Sequence, residues 1–64
     1  MNWNLKRRII DLYGTQADFS EVVDIDEATV SKVIRNRKKL SYEEQTRWAV
    51  YLRCKREQIF SNDD

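Results

Sequence analysis

The chain has 64 residues, 12 Lys and Arg against 11 Asp and Glu, a formal net charge of +1, one Gly, no Pro, one Cys and no His. That length makes one domain with a small core, burying only about 60% of the surface its unfolded form exposes; at 41% apolar and 36% charged residues it is too hydrophobic to be disordered by composition. The composition excludes most chemistry: without His there is no Ser–His or Cys–His pair and no His ligand for zinc, one thiol cannot build a metal site, and Gly14 alone cannot make a phosphate loop.

The remaining carboxylate pairs, Glu43-Glu44 and Asp63-Asp64, are neighbours in sequence and not opposed across a cleft. An enzyme, a metal and a cofactor are therefore not expected. A lone Cys54 gives no intrachain disulfide and suits a reducing cytoplasm. No apolar run approaches about 18 residues and no signal-peptide pattern is present, so neither a membrane span nor export is expected.

In chain order, the spacing predicts a first helix from about Asn4 to Tyr13, with Leu5, Ile9, Leu12 and Tyr13 as its apolar stripe and Trp3 folded over it. Lys6, Arg7 and Arg8 fall on the other side, and Gly14 supplies a left-handed stop. A second helix starts at the N-cap Thr15 and carries Phe19, Val22 and Val23 on one face. Asp24-Ile25-Asp26 forms a tight turn with Ile25 as its apolar plug. The third helix runs from the N-cap Asp26 to about Arg35, with Val30, Val33 and Ile34 inward and Asn36 as its left-handed closure. Ser41 and Glu44 form a capping box for a fourth helix whose inner face is Gln45, Trp48, Ala49 and Leu52. A short fifth helix from about Lys55 to Phe60 returns Ile59 and Phe60 to the core, and 61–64 reads as a frayed tail. The expectation is an all-α, compact five-helix domain over 1–64, without repeats, linkers or low-complexity segments.

Helices 2 and 3, two amphipathic segments across so short a turn, read as a helix-turn-helix unit, whose second helix can enter a DNA major groove. Charge is segregated around it. From Ala28 to Tyr42 there are five cations, Lys32, Arg35, Arg37, Lys38 and Lys39, and no acid; from Asp18 to Glu27 there are five acids and no cation. Such a dipolar chain offers one cationic edge to phosphates. Each residue also has a plain reading. Arg37-Lys38-Lys39 could be a solvated loop, Asp26 a simple N-cap, and Glu27 a partner for the helix dipole instead of an acceptor for cytosine N4. Lys32 is the candidate for guanine O6 or N7. Trp48, Phe19 and Tyr13 read as core, and Cys54 as a small buried apolar residue.

Leu5 and Ile9, Gln16-x-x-Phe19-Ser20, Ile25, Val30-x-x-Val33, and Ala49-x-x-Leu52 followed by Ile59-Phe60 resemble, in that order and spacing, the phage-repressor/Cro type of helix-turn-helix domain, the XRE family, over about residues 4–60. The resemblance implies a five-helix repressor-like fold and sequence-specific binding of double-stranded DNA, usually as a dimer and usually to regulate transcription. It implies that Gln16 touches a phosphate and braces helix 3, that Glu27, Ala28, Ser31 and Lys32 point into the major groove with Thr29 at its edge, and that Arg35, Arg37 and Lys38 contact the backbone. The sequence departs from the pattern at Asp24 and Asn36, where Gly is frequent, at Arg53 and Lys55 before helix 5, and in the acidic start Asp26-Glu27 of the reading helix.

Two functions of different class follow as expectations. The first is a cytoplasmic transcriptional regulator or repressor, its partner double-stranded DNA, with a homodimer formed through the helix 4–5 region near Tyr51, Arg53 and Arg56, and no small-molecule ligand. The second keeps the fold as a protein–protein interaction module, antitoxin-like or regulator-binding, with the acidic run from Asp18 to Glu27 as its contact surface.

Overall fold

Five helices occupy the described residues, 1–60, of the computed structural model: α1 Trp3–Tyr13, α2 Gln16–Val23, α3 Glu27–Ile34, α4 Tyr42–Tyr51 and α5 Arg56–Ile59. No strand occurs among these residues, and the tail expected at 61–64 lies outside them.

The boundaries follow from side chains that satisfy the free amides of each first turn. Asn2 accepts the Leu5 N–H at 3.1 Å, which starts α1 one residue earlier than its apolar spacing suggests. Thr15 accepts the Asp18 N–H at 3.1 Å. Ser41 and Glu44 exchange the two bonds of the capping box. At the other end of α1, Gly14 has φ +87° and donates its N–H to Ile10 O. No atom lies within 4 Å of where its Cβ would stand, so the backbone conformation, and not crowding, calls for glycine.

Three other helices end in a double-bonded closure, with non-glycine residues in the left-handed position. Asp24, Asn36 and Arg53 have φ of +59°, +63° and +57°. In each case the residue after it reaches back five positions, as in Arg37 N–H to Lys32 O at 2.8 Å and Cys54 N–H to Ala49 O at 3.1 Å. Asp and Asn tolerate this region, but Arg does so only against steric strain. Arg53→Gly is therefore expected to stabilise the domain by about 0.5–1 kcal/mol after glycine's extra unfolded-state entropy is set against the relief. Thermal unfolding followed by circular dichroism should show a midpoint raised by roughly 3–6 °C.

The core centres on Trp48, fully buried, with Phe19 edge-on to it at 5.2 Å and Phe60 at 6.2 Å. Leu5, Ile9, Val23, Val30, Val33, Ile34, Ala49, Leu52 and Ile59 close around this cluster. Leu40, an isolated apolar residue after three cations, is buried as well. The inner faces are rotated from the spacing-based expectation in two helices. Val22 is 41% exposed while Ser20 is buried and donates its hydroxyl to Ala17 O; the Phe19–Val23 pair sets the axis of α2, and Val22 falls to one side of it. In α1 the face turns toward Tyr13, leaving Leu12 exposed, and Trp3 is a helical residue 65% exposed instead of folding over the stripe.

Helix C-termini are held by donors from other elements. Arg8 donates from Nε to Leu52 O at 2.7 Å and from Nη2 to Arg53 O at 2.8 Å. Arg47 reaches Val23 O, Tyr13 reaches Tyr51 O, and Asn2 gives its backbone N–H to Ile34 O and its side-chain amide to Ile59 O. Arg8 is thus half-buried structure, not part of a solvated polar face. Arg8→Met, which keeps the stem but removes both donors, is expected to cost about 2 kcal/mol, read as a lower urea midpoint with unchanged slope.

Candidate nucleic-acid interface

α3 lies across α1 and α2 with Val30, Val33 and Ile34 inward. Its outward ridge is then set by helical geometry: Ala28, Lys32 and Arg35 stand at i, i+4 and i+7, one above the other, all exposed. Glu27 and Ser31 flank this ridge on one side, exposed and half-buried respectively, and Thr29 lies half-buried on the other. No other element of the described residues covers the ridge enough to bury it.

The acidic start of α3 is arranged differently from a simple cap. Asp26 has the extended backbone of an N-cap, but its carboxylate makes no bond to a first-turn amide. It accepts the Thr29 hydroxyl at 3.0 Å instead. A hydroxyl three residues on competes for the same oxygen, so Thr29 is a partner of Asp26 at the edge of the face. Glu27 remains exposed at the positive end of the helix.

At the opposite end the chain enters a loop whose both ends are tied. The closure at Asn36 fixes its start. Its far end is held by Leu40, which is buried and whose carbonyl accepts from Gln45 Nε2 at 3.2 Å. Gln45 Oε1 in turn accepts from Arg56 at 2.8 Å, and the Arg56 guanidinium lies 4.5 Å from the Tyr42 ring centre. Between these anchors Arg37, Lys38 and Lys39 are exposed and, with Asn36, line a shallow concavity. Lys39 therefore belongs with the cations of the candidate face, as do Gln45 and Arg56 as its support. The isolated Leu40 after three cations was the sequence signal that this loop is anchored.

Of the expected site residues, Ala28, Lys32 and Arg35 share one ridge, and Arg37 and Lys38 continue from its C-terminal end. Gln16 is half-buried at the first position of α2, and among the described residues it makes no hydrogen bond to α3. In the helix 4–5 region, Tyr51 is half-buried with Arg47 over its ring, and Arg56 is engaged by Gln45 and Tyr42, which leaves Arg53 and Val50 outward. Cys54 is half-buried; burial pushes its thiol up, and the nearby Arg8 charge and hydrogen bond only partly oppose this. A thiol held protonated is a poor nucleophile.

Among the described residues no helix is long and apolar enough to cross a membrane, and no group of three or more His, Cys, Asp or Glu could hold a metal ion. Comparison with protein-family models, curated proteins and solved structures yields no match to this chain.

Proposed function

We propose that the chain is a sequence-specific double-stranded DNA-binding protein, with α2 and α3 as a helix-turn-helix pair of the phage-repressor/Cro kind and transcriptional regulation in the cytoplasm as its role. The observation that carries this is the exposed Ala28–Lys32–Arg35 ridge running without an acid into the anchored cationic loop of Arg37, Lys38 and Lys39. A helix-wide ridge matches the width of the major groove, and the cations at its end lie where a helix leaving the groove meets the backbone.

The roles divide by chemistry. Lys32 donates to guanine O6 or N7, Ser31 to either class of base edge, and Glu27 accepts from cytosine N4. Ala28 lets the backbone approach or touches a thymine methyl, with Thr29 at the margin. Arg35, Arg37, Lys38 and Lys39 neutralise phosphates and fix the register, and Gln16 contacts the backbone from the start of α2. Glu27 has a cost as well as a use: it repels phosphate unless the base opposite it donates, so it works as a filter against wrong sites.

The test is selection of bound duplexes from a random pool, repeated with Lys32→Ala. The parent is expected to enrich a short motif; the variant should bind with about 1–3 kcal/mol less discrimination at one guanine position and equal discrimination elsewhere. Failure to enrich any motif, with no binding even at low salt, would end this reading.

The protein-interaction alternative draws on a specific feature: Asp18, Glu21, Asp24, Asp26 and Glu27 are all exposed. A stoichiometric protein partner whose binding ignores Arg37→Ala and Lys38→Ala, together with no duplex binding, favours it.

A further inference from the structure

Two helix faces that neither the core nor the α3 ridge uses have opposite character. On α1, Trp3, Arg7 and Ile10 stand at i, i+4 and i+7 with Lys6 beside them at i+3. Trp3 is 65% and Ile10 41% exposed, the Lys6 ammonium lies 5.6 Å from the Trp3 ring centre, and these side chains, with the exposed carboxylate of Asp11, border a shallow concavity. A helix of eleven residues thus has a second, outward apolar stripe, flanked by the two cations Lys6 and Arg7 and the single acid Asp11. On α2, Asp18, Glu21 and Val22 stand at i, i+3 and i+4, all exposed, so that this face is acidic with one apolar anchor.

The two faces belong to adjacent helices. α1 and α2 pack on each other, joined only by Gly14 and Thr15, and Tyr13 meets Phe19 at 5.3 Å. We infer that the outer face of α1 docks on the acidic outer face of α2 of a second copy of this chain, the contact being made twice about a two-fold axis. Trp3 and Ile10 lie against Val22 and its neighbours, while Lys6 and Arg7 meet Asp18 and Glu21. A two-fold axis makes both contacts at once and closes the assembly at a dimer. The net charge of +1 leaves little long-range repulsion between copies.

The α4–α5 region is the weaker candidate for such a contact. Val50 is outward there, but Tyr51 and Arg56 are engaged within their own chain. The α1–α2 contact is one helix face wide on each side, at the small end of specific interfaces, so the dimer dissociates at roughly 10–100 µM.

Sedimentation velocity between about 5 and 500 µM, at about 50 and 500 mM salt, tests this. A monomer–dimer equilibrium weakened by salt is expected, with Trp3 emission shifting to the blue as the dimer fills. Lys6→Glu with Arg7→Glu, and separately Asp18→Lys with Glu21→Lys, should each weaken self-association by about tenfold or more. Mixed one to one, the two double variants carry complementary faces at both contacts and should recover a heterodimer near the parent affinity, which misfolded chains could not do. A monomer throughout the range, a dimer indifferent to these reversals, or one dissolved instead by Val50→Glu overturns the inference. None of the four reversed residues lies on α3 or its loop, so the DNA reading stands or falls separately on its own titration.

Discussion

Trp48→Ala is expected to destabilise the domain by about 3–5 kcal/mol, the cost of removing the largest buried side chain and leaving its cavity. A 64-residue domain holds roughly 3–10 kcal/mol in total, so the variant should be substantially unfolded at 25 °C. The position admits no cheap collapse, because the indole touches Phe19 edge-on and Phe60 across the end of α5, and both rings would lose a face. Trp48→Phe separates two contributions. The indole Nε1 is buried without a hydrogen-bond partner, so phenylalanine removes an unsatisfied donor while leaving a smaller void. Its expected cost is only about 1–2 kcal/mol. Urea unfolding followed by circular dichroism measures both. The consequence for function is indirect: α3 rests on this core through Val30, Val33 and Ile34, so duplex binding by Trp48→Ala should fall with the folded fraction and recover as the temperature is lowered toward the stability maximum.

Helix existence was legible because this chain states it redundantly. Gly14, Thr15, the Asp24–Asp26 turn, Asn36 and the Ser41/Glu44 box each mark an end, and the structure uses every one of these positions as a terminus. What spacing could not settle was rotation of a short helix. In two turns of α2, Phe19, Val22 and Val23 fit the period of one face as well as Phe19, Ser20 and Val23 do, and only packing against the other helices buries Ser20 and leaves Val22 outside. The long-range donors were likewise out of reach of periodicity: Arg8 looks like its neighbours Lys6 and Arg7, but it alone faces the carbonyls at the end of α4. The candidate face was legible in part. The ridge of Ala28, Lys32 and Arg35 follows directly once Val30, Val33 and Ile34 are known to point inward. The support for its loop, from Leu40 through Gln45 to Arg56, depends on tertiary contacts that no local pattern encodes. Asp26 stands at the N-cap expected of it, but its carboxylate accepts from the Thr29 hydroxyl and bonds no first-turn amide, a choice that residue type alone does not reveal.

Arg35→Ala, Arg37→Ala and Lys38→Ala combined are expected to lower duplex affinity by about 150-fold at ~150 mM monovalent salt and by about 3,000-fold at ~50 mM, since each lost phosphate contact removes about 0.9 from the slope of log K against log salt. With Arg35, Arg37, Lys38 and Lys39 all in contact, the parent slope is about −3.6; with Lys39 alone remaining it is about −0.9. Folding should survive, because the three side chains are exposed and lose only their favourable interaction with the negative end of α3, about a few tenths of a kcal/mol each. Fluorescence anisotropy on one duplex over four salt concentrations reads both the intercept and the slope. The pattern separates the cationic loop from the ridge: Lys32→Ala should change which duplex is preferred and leave the slope nearly intact, whereas the triple variant should flatten the slope and leave the preference order intact. A parent slope near zero would mean that the cations beyond Arg35 are only a solvated loop, and a slope that the triple variant leaves unchanged would mean that phosphates meet some other face of the molecule.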